Sequence, residues 1–570
     1  VAKETETVYG EEKSFHTPIV NDAPTISLGA SSGSLEENNT PNNVITSIAV
    51  HDDAFGTNDL SLSGADAGAF RIHGSDLEFT VAADFETKSS YTVTVEVDDS
   101  TVGGSPDDSA TFTLVITDAN EPPKFDSSPV TAATEDSAYT YNITVSDDDG
   151  DNLTVALKDD TPAWLSVNTQ PAGWDTVGAA GFSAGMAFDT SLAFDSSGTP
   201  YVAYRDFGNS SNATVMKFDG SNWSTVGSVG FSEGLVAYTS LALDSSGTPY
   251  VAYMDDANGS QATVMKYNGS WVNVGNAGFS TNSVRYTSIA LASDNTPYVA
   301  FKDDNSKAAV MKYNDSTSTW ESVGSAQFSE GVANYTSLAL ASDNTPYVAY
   351  QDGGNGSNAT VMKYNGSSWV TVGSAGFSSG QADYTSLALD SNDTPYIAFQ
   401  DDASSGKATV MKYNGTSWEA VGSAGFSAGT VNDISLALDS SNTPLIAYHD
   451  DANSEEATVM KYTGNGATGW ETVGSAGFSA GSAYDLSLAF DSHNTLYVAY
   501  EDGGNGHNAT VMKFQSALTT LNGTPSNDHV GNNSVTLEVT DGTTTVEQSF
   551  TIAVVNTNDA PTITGSPAAS

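Results

Sequence analysis

The 570 residues exceed the usual size of one domain several times over, so more than one folded unit and a substantial core are expected. Acidic residues outnumber basic ones by 70 to 18, a formal charge of −52 that excludes general electrostatic binding to nucleic acid or an anionic membrane and makes cations the natural partners. Cysteine is absent, no stretch reaches the roughly 18 apolar residues that span a bilayer, and Gly, Ser, Thr, Asn and Asp prevail, the profile of short strands joined by turns.

Residues 1–22 end in ND, the start of an NDAP at Asn21 to Pro24, after EKSFHTPIV and are expected to be a terminal strand of a preceding module or a linker. VAKETETVYG has no apolar signal core, so the chain reads as a mature or excised portion. Residues 23–120 carry LEEN with Glu37 and Asn38, DFE with Asp84 and Glu86, YTVTVEVDD with Asp99, and DAN with Asp118 and Asn120, followed by Glu121. In this order the motifs resemble a cadherin repeat. The resemblance implies that Glu37, Asp84, Glu86, Asp99, Asp118, Asn120 and Glu121 chelate calcium at the junction between successive domains. The Asp-x-Asp-x-Gly-x-Asn spacing is not kept at HDDAFGTN, which leaves Asp52 and Asp53 outside that ligand set.

Residues 121–170 start a second module of alternating apolar pattern, with TEDSAYTYNITVSDDDGDNLTVAL and PAWLSV, which resembles dystroglycan-type cadherin-like modules. It stops halfway, and residues 515–561 supply the missing strands, ending in NTNDAP with Asn556, Asn558 and Asp559. VSDDDGDN places Asp147, Asp148, Asp149 and Asp151 in one loop, with Glu135 upstream and Asp541 in the returning half. Carboxylates so close disfavour each other's ionisation unless a counter-ion sits among them, so Glu135, Asp147, Asp149, Asp151 and Asp541 are expected to hold calcium rather than to form a solvated acidic turn. Residues 562–570 are expected to link to a following module, and a terminal strand that paired into a neighbouring copy would drive head-to-tail assembly.

Between the two halves, residues 171–514 repeat a unit of about 49 residues, W-x-x-VG-x-x-x-FS-x-G, SLALDSSGTPYVAY-x-D, ATVMKYNG. Seven tryptophans mark seven units: Trp174, Trp223, Trp271, Trp320, Trp369, Trp418 and Trp470. Four short apolar runs per unit, each bounded by turn residues, predict one propeller blade apiece. The run at Trp174 is expected to complete the blade containing Met512, leaving no open sheet edge. The fold class is therefore all-β: a seven-bladed β-propeller inserted into a cadherin/Ig-like β-sandwich, preceded by another cadherin-like β-sandwich.

Within each unit the Asp that ends PYVAY-x-D, from Asp206 to Asp502, is expected to form turns, the tryptophans to pack between strands or blades, and the VMKY lysines, from Lys217 to Lys513, to pair with the blade's own aspartates. A cation-binding acidic ring, sugar stacking on tryptophan and a lysine-lined glycan site are the competing readings. No Gly-x-Ser-x-Gly elbow, P-loop, Cys nucleophile or spaced His set exists, and no blade carries a unique polar cluster, so no enzyme is expected. The expectation is an extracellular, cell-surface, calcium-stabilised adhesive or structural protein with the propeller as projecting head. Its partners would be calcium and either surface glycans or copies of itself, without membrane insertion. The alternative is a secreted lectin or glycan-active enzyme displayed on the cadherin-like modules.

Overall fold

Strict alternation of branched apolar and polar residues drives the strands of the flanking regions. In Ser90–Asp98, Val93, Val95 and Val97 are fully buried while the residues between them are not, as one core-facing side of a pleated strand requires. The computed structural model describes residues 21–53, 56–102, 104–149, 153–159 and 161–557. They form two units, one from residues before 170 and after 518, the other from residues 170–518, with no α-helix among the described residues.

The first unit holds two β-sandwiches. In the first, the sheet Thr25–Leu28, Asn43–His51, Asp76–Phe79, Phe70–His73 faces the sheet Ser32–Glu36, Asp108–Thr117, Ser90–Asp98, Asp59–Ser63 across a core that includes Phe79, Phe112 and Leu114. The second sandwich is built from both ends of the chain. Ala132–Thr134 and Thr154–Leu157 flank the returning hairpin Gly531–Thr540 and Thr545–Val555, and Tyr139–Ile143 and Leu165–Gln170 flank Leu518–Gly523. Tyr141 and Leu165 share one core with Leu521, Leu537 and Ile552. The strand that leaves for the insertion and the strand that returns from it are thus neighbours in one sheet. Both sandwiches pair an early strand in parallel with the last one, Ser32–Glu36 with Asp108–Thr117 and Ala132–Thr134 with Thr545–Val555.

The second unit, described throughout, is seven four-stranded antiparallel sheets. Blade 1 runs Ala187–Phe194, Pro200–Asp206, Asn212–Phe218, Trp223–Thr225 from axis to rim. Blades 2 to 6 follow the same order. Blade 7 takes Ala483–Phe490, Leu496–Asp502 and Asn508–Gln515 and borrows Gly173–Thr176 as its outer strand, with Trp174 opposite Phe514 and Thr176 opposite Met512. Innermost strands of successive blades pack against one another, and that of blade 7 packs against that of blade 1. The ring is closed, and its last strand reaches Gln515, one residue beyond the segment read from the repeat.

Three repeated contacts stitch blade to blade. Each tryptophan indole N–H donates to the valine carbonyl of the preceding unit, from Trp223 to Val177 (2.7 Å) round to Trp174 to Val473 (2.9 Å). Each indole also stacks on the phenylalanine of the preceding unit, as Trp470 does on Phe426 with centroids 4.1 Å apart. Near the axis the Leu241 N–H donates to Ser191 Oγ of the blade before (3.0 Å), a bond that recurs in every blade. The valine–glycine pair before each lock follows from the close approach: at Gly227, φ +74°, a Cβ would stand 2.7 Å from the Tyr267 ring and 3.1 Å from the Trp271 indole. The tryptophans are interface locks, one face of each indole being taken up by the neighbouring phenylalanine. Trp470→Ala removes a stack and a hydrogen bond at a site only 5% exposed and is expected to cost ~3–5 kcal/mol. Trp470→Phe is expected to cost less, and thermal melts of the two variants check the order.

Candidate metal centre

Glu37 follows the strand Ser32–Glu36 and is almost fully buried. Its Oε2 accepts the Phe85 N–H (2.7 Å) and its Oε1 the Ala119 N–H (2.8 Å), so one carboxylate clamps the DFE loop to the DAN segment. That clamp carries Glu86 and Glu121 to the same place. The Glu121 N–H donates to Asp149 Oδ2 (2.7 Å), drawing in the acidic loop of the second sandwich, and the Asn38 amide donates to Glu121 Oε1. Glu37, Glu86, Glu121 and Asp149 each present a carboxylate oxygen, all within 4.8 Å of one another.

The cluster is electrostatically unfinished. Glu121 Oε2 and Asp149 Oδ1 are buried without a hydrogen-bond donor, as is Asp147 Oδ2, whose partner oxygen accepts the Asp149 N–H (3.1 Å). Although Glu86 is exposed, partial desolvation, opposed by a backbone hydrogen bond and reinforced by the charges of Glu37, Asp118 and Asp149, pushes its carboxyl above its ordinary range. Burial raises that of Glu121 in the same way, against the Asn38 hydrogen bond, with Glu37, Asp149 and Glu86 adding to the rise. Converging hard oxygens with unfilled lone pairs fit a calcium ion, whose six to eight ligands at roughly 2.3–2.6 Å would be these carboxylates plus backbone oxygens or water.

The other residues expected as ligands lie elsewhere. Asp84 Oδ1 accepts the Thr87 N–H (2.8 Å) and stands outside the convergent group. Asp99 is fully buried, and hydrogen bonds from the Thr101 N–H and the Asn21 amide hold its carboxyl down to about 2. Asp541 accepts the N–H and hydroxyl groups of Thr543 and Thr544 and the Asn120 amide (3.1 Å), which hold it well below the carboxylate range. It ties Asn120 to the second sandwich. Asn21 with Asp99 and Asn120 with Asp541 are the same tie made twice, and the signal for it was the shared Asn-x-x-Pro of NDAP and NEPP.

Glu135, expected beside Asp147 and Asp149, is instead the second sandwich's counterpart of Glu37. It follows the parallel strand Ala132–Thr134, and its Oε2 accepts the Thr557 N–H (2.9 Å), just past the last strand. Its Oε1 is buried without a partner. The Asn556 amide reaches Asn527 Oδ1 (3.4 Å). Asp151, Asn558 and Asp559, and the terminal segments 1–20 and 558–570, lie outside the described residues.

In the propeller, the repeated aspartate is a turn former. Asp450 Oδ2 accepts the Asn453 amide and the Thr458 hydroxyl, both at 2.8 Å, and Oδ1 accepts the Ala452 N–H (3.1 Å). The VMKY lysines do not form a repeated ion pair. Lys461 meets Asp439 (3.1 Å) and Lys412 meets Glu419 (3.5 Å), but strand register sets each lysine opposite the PYVAY tyrosine position, where Lys266 and Lys363 lie 5.5 Å over the rings of Tyr250 and Tyr347. These lysines and tyrosines line clefts between adjacent blades. One of them, about 530 Å³, joins Tyr347 and Lys363 of blade 4 to Asp390, Tyr396, Lys412 and Glu419 of blade 5.

Fold and site together define an all-β protein, a seven-bladed propeller inserted in one of two β-sandwiches, with a carboxylate cluster where the two sandwiches meet. No protein-family model matches the chain, and no curated protein matches it. Solved structures that resemble it include a protein of unknown function from Dyadobacter fermentans (12% identity, TM-score 0.36, 62% of this chain and 98% of that one). The SapL1 lectin in complex with alpha methyl fucoside resembles it at 14% identity and TM-score 0.35, covering 53% and 99%. A PL25 ulvan lyase does so at 14% and 0.39, covering 62% and 96%.

Asp450→Ala strips three donors of their acceptor and is expected to destabilise the propeller by ~2 kcal/mol or more. Calcium affinity is expected to stay unchanged, which a chemical denaturation series and a calcium titration together check.

Proposed function

We propose that this is an extracellular surface protein in which calcium at the Glu37, Glu86, Glu121 and Asp149 cluster rigidifies the two sandwiches, and in which the propeller is a displayed, non-catalytic interaction head. The observation that carries the reading is the pair of buried, donorless oxygens on Glu121 and Asp149, one on the linker and one on the second sandwich, aimed at a cluster completed by Glu37 and Glu86 of the first. Without a cation the four carboxylates repel each other across that joint; with one they hold it. The charge of −52 fits a calcium-bearing exterior, where such modules bind the ion at roughly 10⁻⁴ to 10⁻³ M.

Isothermal titration of chelator-treated protein is expected to show saturable calcium binding, with affinity lowered about tenfold or more in Glu86→Gln and Glu121→Gln, since each removes one charged ligand. Filling the site at 10 to 100 times its Kd is expected to stabilise the sandwich unit by about 1.4–2.7 kcal/mol. Wild-type affinity in both variants would overturn the assignment.

A second reading has its own support. The clefts between blades 4 and 5 and between blades 7 and 1, the latter about 400 Å³ and lined by Tyr497, Lys513, Asp195 and Tyr201, repeat a lysine, tyrosine and aspartate set suited to hydroxyl-rich ligands. On this reading the head binds surface glycans. A glycan array probed at fixed calcium is expected to give hits that Lys363→Ala combined with Lys412→Ala weakens.

A further inference from the structure

The propeller units are alike where strands pack and vary at set positions around the axis. Each innermost strand has a bulge, and the residue there adopts a left-handed backbone with φ between 46° and 55°. These residues, one per blade, surround an axial depression of about 280 Å³. Holding tyrosine and aspartate rather than glycine in this conformation is strained, and strain of this kind concentrates at functional sites.

The ring lacks sevenfold symmetry. Blades 2 to 5 contribute Tyr238, Tyr286, Tyr335 and Tyr384, whose neighbouring rings lie 4.9–5.1 Å apart. Blades 6, 7 and 1 contribute Asp433, Asp485 and Asp189, so the acids form one continuous arc facing the tyrosines. The arc is linked: the Asp189 N–H donates to Asp485 Oδ2 (2.6 Å) and the Asp485 N–H to Asp433 Oδ2 (3.3 Å). Asp189 Oδ2 is buried without a hydrogen bond and forms a long ion pair with Arg205 Nε, 3.6 Å away, whose guanidinium also lies over the Phe188 ring. Two further positions vary from blade to blade, the second residue of the innermost strand and the residue before the turn-forming aspartate. They face each other in register, as Phe188 and Arg205 do in blade 1 and Tyr484 and Glu501 in blade 7.

Burial raises all three acids, most of all Asp485, which also feels the charges of Asp189 and Asp433; Arg205 offsets the rise at Asp189 only. A cation would relieve them. A metal ion suits the arc poorly, because each carboxylate leans on its neighbour's backbone instead of sharing a focus; among the described residues the convergent group is the one at the sandwich junction. The tyrosine arc adds aromatic surface, which attracts organic cations and packs their carbon stems.

We infer that the axial depression binds an organic cation, a primary ammonium or guanidinium group on an aliphatic stem, with the head among Asp189, Asp433 and Asp485 and the stem along the tyrosine arc. The group can belong to a free amine or to a lysine or arginine side chain of another protein.

Calorimetric titration of the whole chain in chelator, which separates this test from the calcium site, uses two probes: agmatine for the free amine and Nα-acetyl-lysine methylamide for the side chain. Saturable one-to-one binding of either is expected, weakened about tenfold or more by Asp485→Asn. Tyr335→Leu leaves the acidic arc whole and is expected to weaken binding roughly threefold or more through lost aromatic contact, which keeps the test sound should the aspartate variant fold poorly. Preference for agmatine points to a free amine and preference for the amide to a protein partner; either supports the site. No binding of either probe at millimolar concentration, equal binding by both variants, or displacement of the probes by calcium or methyl α-fucoside would overturn it.

Discussion

The propeller depends on a donor and acceptor exchange in which each blade is completed by the one before it. The Leu241 N–H has its acceptor on Ser191, and the Trp271 N–H has its acceptor on Val226, each in the preceding unit. A blade at an open end would leave its indole, the phenylalanine that stacks on it and the apolar side chains shared with the next blade in water, forfeiting that burial together with these hydrogen bonds. An open array of these units is therefore not a stable option. The ring closes because Gly173–Thr176 fills the one vacant outer strand and Trp174 supplies the seventh lock against Val473 and Phe478.

Most of this architecture was legible in the chain. Seven tryptophans at even spacing count the blades, and a lone tryptophan strand at one end with a missing outer strand at the other defines the closure. The division of the second sandwich was legible for a similar reason, since an alternating pattern that stops at Leu165–Gln170 resumes after Leu518. The direction of the lysines was not, because strand register, which sets Lys363 opposite Tyr347, is a property of the paired sheet rather than of either segment.

The acidic cluster was only half legible. Glu37, Glu86 and Glu121 sit in motifs that announce them, but their union with Asp149 rests on the Glu121 N–H reaching across to the second sandwich. Asp541 and Asp99 carry the same formal charge but stand outside the convergent group, their oxygens taken up by threonine and asparagine donors. Donor count separates a ligand from a tie, and charge in the sequence does not show it. The axial arc was overlooked for another reason. Regular columns dominate a repeat, and Asp189, Asp433 and Asp485 matter because they break one; blades 6 and 7 also lose there the threonine that in blades 1 to 5 bonds the neighbouring carbonyl, Ile434 and Leu486 standing in its place.

The insertion point has a mechanical corollary. Leu165–Gln170 and Leu518–Gly523 are adjacent strands of one sheet, so the chain departs and returns through the same small patch of the second sandwich. Tension entering that sandwich at Glu121 and leaving at Asn556 runs through its own strands and bypasses the inserted ring. The two strands joined to the ring are bonded to each other, so the sheet of that sandwich is continuous across the point of insertion.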